Sequence, residues 1–232
     1  TLTTEDLSKY KILLDEAFII KSNENELLNA VKGRKKEVEK KVLHLTIIPT
    51  NSCNMKCIYC FQDKHGKVIN YKAIDSILLF VQTSIEEYSG VIISWFGGEP
   101  LLNPNIVIYF MDNLSKICIN SKKPFFSNIT TNGINLTPVV FEKLLKLHVM
   151  QYQITIDGPK EMHDLQRPLN DKKISSYEII MQNLKKINSI HFNKSFNIGI
   201  RINLSKNNIS FIYQFIDELK KHLIEELNLE EI

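Results

Sequence analysis

Residues 47–60 read Ile47-Ile48-Pro49-Thr50-Asn51-Ser52-Cys53-Asn54-Met55-Lys56-Cys57-Ile58-Tyr59-Cys60. A short apolar strand, Val42–Pro49, runs into a loop that holds three of the chain's four cysteines at the spacing C-x3-C-x2-C. A closed structural zinc site takes four ligands, and this loop offers three. A disulfide framework spreads its cysteines along the chain to staple loops. The pair Cys57-Ile58-Tyr59-Cys60 also matches a Cys-x-x-Cys redox motif, although that motif has no use for Cys53. Zinc and the redox pair therefore stand as the weaker alternatives. Three soft thiolates on one tight loop suit three irons of a [4Fe–4S] cluster and leave the fourth iron open to chemistry. The fourth cysteine, Cys118, continues the stripe Val107, Phe110, Met111, Leu114 and reads as a core residue.

Downstream of this loop the chain alternates. Strands read at Val42–Pro49, Val91–Phe96, Phe125–Thr131, Tyr152–Asp157 and Asn197–Leu204. Helices read at Tyr71–Ser89, Asn105–Lys122, Thr137–Leu147, Ser176–Ser189 and Ile209–His222. Ile74, Ile77, Leu78, Val81 and Ile85 have the spacing of one buried helical face. Five strand–helix units in strict alternation predict an α/β fold with parallel strands and right-handed crossovers. The pattern alone leaves a doubly wound sheet and a (β/α) barrel open. Both bind ligands at the C-terminal ends of their strands. Upstream, residues 1–41 are charged and differ in texture, with a helix expected over Glu24–Lys41. They read as an N-terminal extension, either a solvated linker or a small docking segment, ahead of a domain over 42–232.

The composition supports a globular chain. Of 232 residues, 44% are hydrophobic and 24% charged, with a net charge of +3, which argues against disorder. No apolar run is long enough for a transmembrane helix. Thr1 to Lys9 does not resemble a signal peptide. Clustered cysteines without a secretion signal predict a reducing, cytoplasmic setting. Neither membrane nor nucleic acid is expected as a partner.

The later strand ends carry further motifs. After the second strand comes Trp95-Phe96-Gly97-Gly98-Glu99-Pro100. A strand-to-helix turn accounts for Gly97, Gly98 and Pro100 but gives Glu99 no purpose. A ligand reading does: side-chain-free residues admit a ligand, and Glu99 offers its ammonium a carboxylate. The third strand ends Thr131-Asn132-Gly133. In the fourth, Gln153, Thr155 and Asp157 share one face. Buried parallel strands are usually apolar on both faces, so a polar face predicts a lined cavity. Asp157-Gly158-Pro159, His163-Asp164 and Arg167 follow. The fifth strand places Asn197, Gly199, Arg201 and Asn203 on one face, again polar.

The triplet with Tyr59 in its aromatic position, Gly97-Gly98-Glu99-Pro100 and the Asp157-to-Arg167 stretch together resemble the radical S-adenosylmethionine (radical SAM) superfamily. Within it, the chain is most similar to SPASM-type peptide maturases and anaerobic sulfatase maturases. The resemblance covers about Val42 to Leu204. It implies a partial (β/α)6 barrel, with a small N-terminal α/β extension, ending here after about the fifth strand–helix unit. It implies that Cys53, Cys57 and Cys60 hold a [4Fe–4S] cluster whose open iron is chelated by S-adenosylmethionine. It further implies a cofactor-binding set. Tyr59 meets the adenine through its main chain, and Gly97, Gly98, Glu99 and Pro100 meet the methionyl amino group. Thr131 and Asn132 border the pocket, Thr155 touches the ribose and Arg167 meets the carboxylate. Asp157 and Asn203 complete the set. The implied reaction is reductive cleavage to a 5′-deoxyadenosyl radical that abstracts hydrogen from a peptide or protein side chain. An electron donor such as flavodoxin or ferredoxin is implied as well. Two variants of this reading are oxidation of Cys or Ser to formylglycine and an inactive peptide-binding paralogue. A plain electron-transfer iron–sulfur protein is the rival from another class. No acid or base is named. The sixth strand–helix unit and auxiliary cysteines of those enzymes do not occur in these 232 residues, so a fragment, a split system or a short protein is expected.

Overall fold

A computed structural model describes residues 41–63, 66–190, 194–206 and 208–221. The expected N-terminal extension and its helix lie outside these residues, Lys41 excepted. So does the expected last residue of the final helix, His222. The chain divides into the units Thr1–Val42 and Leu43–Ile232, and the site described below belongs to the second.

Five strands form one sheet in the order β1-β2-β3-β4-β5: β1 Val42–Ile47, β2 Gly90–Trp95, β3 Phe125–Thr131, β4 Val149–Thr155 and β5 Asn197–Arg201. The pairs β2/β3, β3/β4 and β4/β5 are parallel. The helices are α1 Tyr71–Ser84, α2 Pro104–Asn120, α3 Pro138–Lys146, α4 Lys160–Gln166, α5 Ser176–Asn188 and α6 Ile212–Leu219. Strand order in the sheet equals strand order in the chain, so every crossover steps the same way. A doubly wound sheet reverses direction at a switch point. None occurs here, and the barrel alternative is the one realised, as an open five-stranded sheet.

The helices cover one face. Leu43, Ile47, Val91, Ile93, Trp95, Ile129, Tyr152 and Ile154 alternate along their strands and are buried with Ile74, Leu78 and Val81 of α1, Phe110 and Leu114 of α2, and Phe141 and Leu144 of α3. Trp95 meets Phe110 edge-on at 5.3 Å between ring centroids, and Phe141 meets Tyr152 at 4.7 Å. Caps set the helix starts: the side chains of Asn70, Thr137 and Ser175 accept from the amides of Ala73, Val140 and Glu178. Cys118 is fully buried on α2, and burial pushes its thiol up to about 11. It is a core cysteine, as its stripe predicts.

Element boundaries shift where tertiary bonds intervene. β4 starts at Val149 rather than Tyr152. His148 takes φ 64° and its carbonyl accepts from the Ser127 amide at 2.9 Å, so pairing with β3 begins at once. β5 stops at Arg201 rather than Leu204, because the Asn203 amide donates to Asp157 Oδ1 at 2.8 Å and the chain leaves the sheet. Helix α4 has seven residues, too few to display an apolar period, and sequence reading did not find it.

Candidate cofactor site

The cysteine loop is clamped from two sides by its own backbone. On one side the Phe96 amide donates to the Ile47 carbonyl at 3.1 Å, the Gly98 amide to Thr50 at 3.0 Å and the Glu99 amide to Ser52 at 3.0 Å. The β1–β2 pairing thus continues past both strands. On the other side the Lys56 amide donates to the Pro168 carbonyl at 2.7 Å and the Ile58 amide to Gln166 at 2.9 Å, beside a bridge between Met55 and Leu169. Met55 is completely buried between them. Gly97 and Gly98 are what allow the first contact. Gly97 has φ 128°, and a Cβ there would lie 2.6 Å from the Thr50 oxygen. A Cβ on Gly98 would lie 2.3 Å from the Ser52 oxygen and 2.4 Å from that of Asn51. The sequence reading assigned both glycines to ligand approach. In the structure they also admit the backbone of the cysteine loop.

The loop closes over a pocket of about 240 Å³ at the C-terminal end of the sheet. Its walls include Cys53, Cys57, Cys60, Tyr59, Gly97, Gly98, Thr131, Asn132, Thr155, Arg167 and Asn203, eleven residues of the expected set brought together from all five strand ends. Phe61, Gln62, Phe96, Thr130 and Arg201 also line it. The expected residues Glu99, Pro100 and Asp157 are buried and stand behind this lining.

Glu99 is wholly enclosed. Its Oε1 accepts from the Leu101 amide at 2.8 Å and the Thr131 hydroxyl at 2.7 Å, and its Oε2 accepts from the Asn132 amide at 2.7 Å. Burial raises its pKa, while these three donors and the Arg167 charge pull it back toward the ionised form. The carboxylate therefore ties the turn after β2 to the turn after β3. Asn132 carries the connection onward: its side-chain amide donates to Asn54 Oδ1 at 2.7 Å and approaches Cys53 Sγ at 3.6 Å.

A second polar cluster anchors the other end of the loop. The Tyr59 hydroxyl donates to Asp157 Oδ2 and accepts from Arg167 Nη1 at 2.6 Å and Asn203 Nδ2 at 3.0 Å. Asp157 Oδ1 takes the Asn203 amide. Arg167 and Asp157 approach within 3.9 Å with almost no exposure. Burial disfavours the guanidinium charge, but Cys57, Tyr59 and Asp157 more than offset this, so its pKa is raised. The Tyr59 side chain thus acts as a structural tie, a role its place in the motif did not disclose. Sequence reading also missed Asn208. Its fully buried amide donates to the carbonyls of Asp157 at 2.8 Å and Asn203 at 2.9 Å, and no motif marks it. His163 is fully buried; its Nδ1 accepts from the Asp157 amide at 3.2 Å, and burial, followed by the Arg167 charge, lowers its pKa to about 3.

The donor set fits an iron–sulfur cluster with an anionic ligand beside it. Three thiols share one pocket, and among the described residues no three His, Cys, Asp or Glu side chains are placed to hold a single metal ion. A cluster gives each thiolate its own iron and needs no such convergence. Arg167 lines the same pocket, and its buried Nε has no partner among the described residues, as suits a carboxylate-bearing ligand.

Known proteins are similar to this chain in sequence and in fold. The radical SAM cyclopropyl synthase TigE of Paramaledivibacter caminithermalis is 27% identical over 199 residues, covering 73% of this chain and 40% of that protein. The cysteine-type anaerobic sulfatase-maturating enzyme of Clostridium novyi is 29% identical over 187 residues, 75% of this chain and 48% of that one. A structure of native anSMEcpe with bound AdoMet and the Kp18Cys peptide superposes with a TM-score of 0.64 at 21% identity, covering 76% of this chain and 48% of that chain. The chain spans about half the length of the curated relatives it matches. The family model of the radical SAM superfamily matches residues 47–217, so the chain belongs to that superfamily, whose cofactors are a [4Fe–4S] cluster and S-adenosylmethionine.

Proposed function

We propose that this chain forms the cofactor-holding core of an enzyme that modifies a side chain of a peptide or protein. The observation that carries the reading is one pocket, at the C-terminal ends of the strands, lined by three thiols and the Arg167 guanidinium. When bound, the two cofactors supply reductive cleavage of S-adenosylmethionine and hydrogen-atom abstraction from the substrate. Cys53, Cys57 and Cys60 hold the cluster. Arg167 orients the cofactor carboxylate, while Thr155, Asn203 and the main chain at Gly97 and Gly98 flank the remainder. Glu99 and Asp157 stand behind these groups and fix the loops that carry them. Tyr59, Arg167 and Asn203, bonded to one another, brace one side of the pocket.

Two comparisons favour a peptide substrate: the Clostridium novyi relative is a sulfatase-maturating enzyme, and anSMEcpe carries the Kp18Cys peptide. They also favour a specific variant, oxidation of Cys or Ser in a protein to formylglycine. The electron comes from a small carrier such as flavodoxin or ferredoxin. Among the described residues no helix is long and apolar enough to cross a membrane, and a cytoplasmic setting is part of this proposal. The test is anaerobic incubation of the cluster-loaded protein with S-adenosylmethionine, dithionite and peptides containing Cys or Ser. Formation of 5′-deoxyadenosine and a mass change confined to one peptide residue are expected. A cluster-loaded protein that yields no 5′-deoxyadenosine contradicts the proposal.

A further inference from the structure

The sheet face opposite the helices carries an ordered row of hydrogen-bonding groups. Strand registers pair Ser94 with Asn128, Asn128 with Gln151, and Gln151 with Asn197. In parallel strands such partners point to the same face at the same height. Four adjacent strands therefore each contribute one hydroxyl or carboxamide to a single line. His44 on β1 extends it, its Nε2 lying 2.8 Å from Ser94 Oγ. One pleat higher, Thr130, Gln153 and Gly199 are aligned in the same way, and Thr130 belongs to the pocket wall. The row is thus continuous with the cofactor pocket.

Three features set this row apart from an ordinary wetted surface. Gln151, Gln153 and Asn197 are exposed and Asn128 is half-buried, yet on β2 to β5 this face carries no Lys, Asp or Glu. Its one full charge is Arg201, at the pocket end. Water-facing positions ordinarily draw Lys and Glu freely. Next, among the described residues the side-chain amides of Asn128, Gln151, Gln153 and Asn197 make no hydrogen bond. Finally, a Cβ on Gly199 would meet no atom closer than 3.9 Å, so among the described residues no side chain fills the space at this point of the face.

We infer that this row of uncharged side chains binds the main chain of an extended substrate peptide, laid across the strands beneath the cofactor pocket. The inference rests on the peptide reading above and names how that peptide is held. A carboxamide offers one acceptor and two donors, the complement of a peptide group. Neighbouring strands lie about 4.8 Å apart, so four side chains span about 14 Å, the length of about four extended residues. A neutral row matches a neutral main chain. It gives a nucleoside triphosphate no array of cations to meet its phosphates.

The test uses the cluster-loaded full chain with S-adenosylmethionine. The probes are a displayed library of capped, uncharged ten-residue peptides containing one Cys or Ser, the same library with added Asp and Glu, and GTP. Uncharged peptides are expected to bind best. N-methylating successive main-chain amides of the best binder should weaken it about tenfold at the amides that face the row, as the loss of neutral hydrogen bonds requires. Asn128→Leu/Gln151→Leu should weaken it by a similar factor while S-adenosylmethionine still binds. Peptide binding that is insensitive to N-methylation, or a preference for the acidic library, overturns the row and leaves the peptide reading intact. Binding of GTP with no peptide, or of no probe at all, overturns both.

Discussion

Both oxygens of Glu99 are occupied by donors from two different loops, in a place that water does not reach. Glu99→Gln puts an NH2 group against an N–H or O–H donor. It should cost about 1–3 kcal/mol of stability, the range for a buried group left unsatisfied, while Cys53, Cys57 and Cys60 still take up iron. Urea unfolding and iron analysis of the same sample check both halves. Tyr59→Phe removes the one hydroxyl shared by Asp157, Arg167 and Asn203, and a similar loss is expected by the same assay. His163 supplies a pH signature. Its folded pKa of about 3 lies below the unfolded value of about 6.5. Between those values the unfolded chain binds the extra proton, so stability is complete above pH 6.5 and falls as the pH drops toward 3, by about 1.4 kcal/mol per unit from this residue. His163→Gln should flatten the decline between pH 6 and pH 5 by about that amount in urea titrations. Wild-type and variant slopes that coincide would contradict the buried neutral imidazole. Of these residues, sequence marked Glu99 and Tyr59 but did not disclose their side-chain partners. A motif gives the residue type, and the partner that a side chain finds comes only from the packing of distant loops.

Strand and helix periods were readable because each element buries one face. The stripe through Cys118 and the alternation in β4 point to the same core that the structure contains. Boundaries were less readable, since they are set by single long-range bonds, such as Asp157 drawing the Asn203 amide out of β5. Helix α4 was invisible for want of length. The Gly97-Gly98 turn was legible as a motif, whereas its contact with the cysteine loop was not, because that contact joins segments about 45 residues apart in sequence. Gly98→Ala tests the contact at the level of the element. The added methyl must push the Asn51–Ser52 backbone away and strain the pairing at Gly98 and Glu99. Far-ultraviolet circular dichroism should stay unchanged, and iron uptake should fall severalfold. Full loading of the variant would show that the loop does not need this contact.

At the scale of the molecule, strand order following chain order puts the helices on one face, with the cysteine loop closing the pocket at the strand ends. Sequence alternation could not choose between barrel-type and doubly wound sheets, since both use the same local units; the spatial order of the strands decides it. The pocket itself was largely legible, because its contributors sit at strand ends that the alternation had already located. The account stands on the assignment of the three loop thiols, and the most direct measurement is iron and acid-labile sulfide per chain after anaerobic reconstitution. Wild type and Cys118→Ala should each carry about four of both, as one [4Fe–4S] cluster requires, and Ala at Cys53, Cys57 or Cys60 should remove most of them. Equal loss in Cys118→Ala and Cys53→Ala, or full loading of any of the three loop variants, would contradict it.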